Sequence, residues 1–177
     1  MKHLAMTAVA VATAAALFGP SAPAEAGPGH AAFQRQYYPD VDWITCEINK
    51  ERAAQGQPPL LIVDRASDVA RSHARDMATL GKLTSTGSDG RDQRTRLADA
   101  GIHSKSIHEL MFWGYSHDGY FADTLTDPEN KNYPLMMSPD IVAIGLGYDK
   151  KYMDVNLLSY HRRLNARSAV CARHDAE

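Results

Sequence analysis

The hydrophobic period changes once along this chain, and that change bounds the fold more tightly than any other feature. Ala66, Val69, Ala70, His73, Met77 and Leu80 recur on one face at helical spacing. Asp64 stands where an N-cap is expected and Gly81 where a left-handed C-terminal residue is wanted. Beyond residue 140 the period shortens. Ile141 to Tyr148 and Tyr152 to Tyr160 read as two strands joined through Asp149-Lys150-Lys151 as a hairpin. Ile144 and Leu146 point one way, while Gly145 and Gly147 permit close approach on the other face. Helices first and strands after, without strict alternation, predict an α+β domain built in layers.

The remaining elements follow from caps and breakers. A first helix starts at Asp40, with Asp40 or Asp42 as cap and Ile44 and Ile48 four apart, and closes at Gly56. Pro58-Pro59 enforces an extended link, from which Leu60 to Val63 packs on the core. A short third helix spans Asp92 to Ala100 before Gly101, and a fourth runs from Ser116 or Asp118 to Leu125, ended by Asp127-Pro128.

The N-terminus points to export. Met1-Lys2-His3 precedes an apolar run from Leu4 to Phe18, Gly19-Pro20 breaks it, and Ala24-Glu25-Ala26 presents small residues for cleavage. The run is too short for a spanning helix, and no later stretch is apolar enough to be one. Residues 1–26 are therefore expected to be a signal peptide, 27–39 a loosely ordered arm, and 40–177 the globular domain. Removing 26 of 177 residues leaves 151, the size of one domain. The net charge of −2, with no long Lys/Arg run, excludes nucleic acid as the main partner. In an oxidising compartment Cys46 and Cys171 pair by default. The alternatives are two free thiols, or a cysteine working with a histidine, although neither sits in a nucleophile motif.

Several segments, in order, resemble the bacterial branch of the CAP superfamily, the SCP-like extracellular domain related to cysteine-rich secretory and plant pathogenesis-related proteins. They are Ile48-Asn49-Lys50-Glu51-Arg52-Ala53 with Pro59-Leu60, then Asp64 to Met77, then Thr86 to Gly90 with Arg96-Leu97 and Ala100-Gly101. The last is Pro139-Asp140 with Ile144-Gly145-Leu146-Gly147. The resemblance covers residues 44 to 159. It implies a three-layer α-β-α sandwich, with a mostly antiparallel sheet completed by the C-terminal hairpin and a groove beside it. Two family histidines and an acid line that groove in typical members. Here the histidine positions fall on Ser85 and Asn132, and the acid is Glu109.

Those losses carry a chemical consequence. Zinc needs several imidazole, thiolate or carboxylate ligands, and general acid–base work needs a group titrating near neutrality. Hydroxyl and amide groups supply neither. No metal, cofactor or catalytic residue is therefore assigned. Ser85, Glu109 and Asn132 are expected to converge on one polar concavity, with His108 and Trp113 as possible neighbours. His108, one residue from Glu109 on a strand, would point away from it. His73, on the apolar stripe, reads as a packed and hydrogen-bonded core residue. Met111-Phe112-Trp113 reads as core beneath the groove. Tyr37-Tyr38 reads as an exposed pair, either a binding hook or packed onto the domain. The expected function is a monomeric, non-enzymatic binding protein for an extracellular lipid, glycan or protein. One alternative is a secreted peptidase-like hydrolase using Glu109; another is a cell-envelope interaction module working through the arm or residues 127–134.

Overall fold

A computed structural model describes residues 37–159 and 164–171. The expected signal peptide, the arm up to residue 36, and the last residue of the expected second strand lie outside them. The elements are α1 (Val41–Ala54), β1 (Leu61–Ile62), α2 (Asp64–Leu80), α3 (Gln93–Asp99), β2 (Ile107–Trp113), α4 (Asp118–Thr126), α5 (Tyr133–Met136), β3 (Ile141–Asp149) and β4 (Tyr152–Ser159). The strands form one sheet in the order β1-β3-β4-β2. β1 runs parallel to β3, and the other pairs are antiparallel.

Local chemistry explains most of the boundaries. Asp40 caps α1 by accepting from the Trp43 amide at 2.9 Å, and Asp92 caps α3 by accepting from Thr95 N at 2.8 Å. Gly81 ends α2 in the left-handed conformation, at φ 67°. Asp64 is not the cap expected of it. Val63 holds the N-cap position, and Asp64 lies in the first turn, where its carboxylate suits the helix dipole and pairs with Arg167 at 3.0 Å. The β3–β4 turn places Lys150 and Lys151 at positive φ, as a tight two-residue hairpin turn demands.

The sheet is covered on both faces. Val155, Leu157 and Met153 point to one side, where they pack with Ile44 and Ile48 of α1, Phe121 and Leu125 of α4, and Met136 of α5. Leu158 points to the other side, packing with Ala66 of α2 and Leu97 of α3. Close approach of α2 depends on the two glycines of β3. A Cβ on Gly147 would lie 1.9 Å from Arg71 N, and one on Gly145 would lie 2.5 Å from the Ala66 backbone. The result is the expected three-layer sandwich.

The C-terminal segment is fastened across the N-terminal elements. Cys46 and Cys171 form a disulfide with Cα atoms 5.7 Å apart, so the free-thiol and catalytic-cysteine readings fall away. Ile62 and Arg167 exchange backbone hydrogen bonds at 2.8 and 2.9 Å. The Arg167 guanidinium reaches Asp42 at 2.6 and 2.9 Å as well as Asp64. Tyr37 packs edge-on against Tyr148 and donates to Asp118, whereas Tyr38 is exposed.

Candidate functional site

Alternation along β2 and β4 sorts the polar residues by layer. Glu109 pairs across the strands with Asn156, and Met111 with Asp154. Directly opposed residues share a face, and diagonal neighbours stay within reach of long side chains. Glu109, Asp154 and Asn156 therefore all point into the layer between the sheet and α2–α3. Arg96 enters this layer from α3, because Gln93, Arg96 and Leu97 form that helix's buried side.

Arg96 organises the cluster. One guanidinium nitrogen donates to Glu109 Oε1 at 2.5 Å, and the two side chains are only 8 % and 7 % exposed. The other donates to the carbonyls of Ser85 at 3.1 Å and Arg91 at 2.7 Å. Gln93 donates to Asn156 Oδ1 at 2.7 Å, and Asn156 in turn donates to Asp154 Oδ2 and to the Ala66 carbonyl. Glu109 Oε2, Asp154 Oδ1 and Arg96 Nε have no partner among the described residues.

Burial raises the pKa of both carboxyls, most strongly for Asp154, which is fully enclosed and feels the Glu109 charge. Arg96 opposes the rise and contacts Glu109 directly. Of the two carboxyls, Asp154 is therefore the one pushed harder toward its neutral form, while the contact with Arg96 favours the charged form of Glu109. His73 donates from Nε2 to the Thr84 carbonyl at 2.7 Å, and burial holds its pKa below the ordinary value. It is the packed core histidine expected.

Ser85 and Glu109 thus meet through Arg96, Ser85 contributing its carbonyl from an exposed loop. Asn132 does not join them. It precedes α5, whose Met136 packs on the opposite face of the sheet, with its backbone carbonyl accepting from Leu135 N and Met136 N. The convergence of three positions is replaced by a pair on one layer and a single residue on the other. The alternation that aims Glu109 at α3 excludes it from the α5 side. His108 points away from Glu109, as expected.

Trp113 departs from expectation. It ends β2 with 58 % of its surface exposed, and Lys151 Nζ stands 6.0 Å from its ring centroid. Phe112 alone supplies the expected core contact, edge-on to Phe121 at 5.2 Å. No group of three or more His, Cys, Asp or Glu among the described residues could hold a metal ion. No helix among them is long and apolar enough to cross a membrane.

The described residues also hold an open cavity of about 440 Å³ at the opposite end of β2, reached by His108 and by Leu135 of α5. It contains none of the three positions aligned above. Sequence reasoning missed both this cavity and Arg96. The signal for Arg96 was its place three residues after Gln93 on the buried side of α3, one before Leu97.

The profile of the CAP family, the cysteine-rich secretory protein family, matches residues 46–161, well over half of the chain, and the chain belongs to that family. A comparison with curated protein sequences finds no significant match. Among solved structures, an extracellular protein containing an SCP domain from Bacillus anthracis superposes with a TM-score of 0.58 at 17 % identity, over 66 % of this chain and 39 % of that one. A cysteine-rich secretory protein from Staphylococcus aureus gives 0.55 at 12 %, over 66 % and 37 %. An outer surface protein from Borrelia burgdorferi gives 0.55 at 18 %, over 67 % and 90 %. The chain spans about two fifths of the length of the first two. At these identities the likeness is one of fold.

Proposed function

We propose that this chain is a secreted extracellular binding protein with a CAP fold and no catalytic apparatus at the positions aligned with the family's groove. The observation that carries this reading is the buried ion pair of Arg96 with Glu109. A general base needs a lone pair facing substrate. Glu109 has one oxygen taken by a guanidinium, and both partners are enclosed. The hydrolase reading would require Arg96 to swing away and leave two buried acids without a cation, which costs several kcal/mol. Export rests on the apolar leader at residues 4–18, and the Cys46–Cys171 bridge fits an oxidising compartment.

The test is hydrolysis of a panel of peptide and ester substrates by the parent and by Glu109→Gln, with thermal melting to verify folding. Neither protein should exceed the uncatalysed rate. Activity in the parent that disappears in a folded Glu109→Gln variant would establish the hydrolase instead.

A further inference from the structure

The cavity of about 440 Å³ lies where β2 and β3 begin and β4 ends. Its walls follow from the strand order. Ile107 pairs with Leu158, and Ile141 with Ser159, so β4 runs between the two entering chains. Two strand spacings then separate them, about 10 Å between backbones. Lys105 stands just before β2 on one wall, and Asp140 just before β3 on the other. Both line the cavity and both are exposed.

Neither charge is used by the fold. Among the described residues the Lys105 ammonium and the Asp140 carboxylate have no hydrogen bond and no ion pair, in contrast to Glu109 and Arg96. Beside Lys105, Ser106 and His108 share a strand face, with Ser106 Oγ 3.1 Å from His108 Nε2. Among the described residues that is the only hydrogen bond of the Ser106 hydroxyl, which keeps capacity for a ligand. Leu135 and Val142 give the cavity an apolar wall.

The charge arrangement selects the ligand. A simple anion held by Lys105 would face Asp140, and a simple cation held by Asp140 would face Lys105. A molecule carrying both charges satisfies both walls, and an apolar body fills the space against Leu135 and Val142. We propose that this cavity binds a small zwitterion with an apolar body, of the class of a free apolar amino acid or a dipeptide. Its carboxylate sits on Lys105 and Ser106, and its ammonium on Asp140. The proposal deepens the binding-protein reading, on which it rests, and moves the ligand from the aligned groove positions to the far side of β2.

Calorimetric titration of the disulfide-bonded chain tests it with four probes: L-leucine, leucyl-leucine, N-acetyl-L-leucine and L-leucinamide. Saturable one-site binding is expected for leucine or leucyl-leucine, the better of the two fixing the ligand's length. Each singly blocked analogue should bind about tenfold or more weaker, the worth of one charged hydrogen bond. Lys105→Met should weaken the zwitterion by a similar factor but strengthen leucinamide, a simple cation that Lys105 opposes. Asp140→Asn should weaken the zwitterion but strengthen N-acetyl-leucine, a simple anion that Asp140 opposes. Absence of saturable binding to both zwitterions overturns the proposal. So does binding that survives both substitutions, or N-acetyl-leucine binding as tightly as leucine. Any of these, with the hydrolysis panel still silent, leaves the binding-protein reading standing; hydrolysis lost in Glu109→Gln removes that reading on its own.

Discussion

Arg52 is fully buried on α1 and has no carboxylate partner among the described residues. Its guanidinium is instead spent on four carbonyls: Pro58 at 2.9 Å, Met136 at 2.5 Å, Ser138 at 3.1 Å and Ile141 at 3.0 Å. It thereby ties α1 to the α5–β3 connection, whose Ser138 and Ile141 border the cavity. Arg52→Met keeps most of the apolar volume and removes every donor. The bonds to Met136 and Ile141 are wholly buried, and a buried acceptor left bare costs about 1–3 kcal/mol, so the two carbonyls lose about 2–6 kcal/mol. Water can reach the other two. Release of the guanidinium from burial, which already lowers its pKa, returns part of this loss. The net destabilisation is about 3 kcal/mol, a fall in Tm of about 10 °C for a domain of this size. Urea unfolding with the disulfide intact measures it, and Arg65→Met, which removes an exposed contact, serves as control within about 0.5 kcal/mol. An Arg52→Met variant as stable as the parent would refute the reasoning. The desolvation of an unpaired guanidinium would then cancel all four of its bonds.

Gly147→Ala should abolish folding or cost more than about 4 kcal/mol in the same assay, because the new Cβ meets the rigid backbone of α2 at Arg71 and Ala70. The pH dependence has a definite sign at Asp154 and Glu109. Their folded pKa values are raised by burial, so the folded state binds more protons than the unfolded one above the ordinary carboxylate range. Stability from this pair is therefore full at low pH and falls as pH rises through the raised values. Asp154→Asn, which mimics the neutral acid, should flatten that slope and melt no lower than the parent at pH 8; a steeper slope would contradict the assignment.

Periodicity made the outer frame legible. The α2 stripe, the hairpin and the tight face at Gly145 and Gly147 all depend on neighbours in sequence, which a pattern can read. The buried charges were hidden by the same patterns. In β4, Asp154 and Asn156 alternate with Val155 and Leu157, which reads as a polar face toward water until α2 and α3 cover it. Arg52 follows Ile44 and Ile48 at four-residue steps, so its place on the buried stripe was visible, but not the carbonyls from residues 136–141 that justify it. Trp113 reads as core by hydrophobicity, yet it ends its strand where no helix covers it. Asn132 was placed by alignment to the groove, and no local signal shows on which side of the sheet α5 packs.

The two polar centres differ in what they have left to offer a ligand. Between the sheet and α2–α3, Glu109, Asp154 and Arg96 amount to two acids and one cation in a buried layer, and burial pushes Asp154 toward its neutral form, the direction that balances the charges. A cation entering there would have to compete with the guanidinium already bound to Glu109. At the start of β2 and β3 the two charges also balance, but Lys105 and Asp140 stand on opposite walls of an open space with no bond between them. A buried pair that neutralises itself stabilises or strains a fold. An open pair held apart by a strand retains its interaction energy for whatever molecule spans the gap.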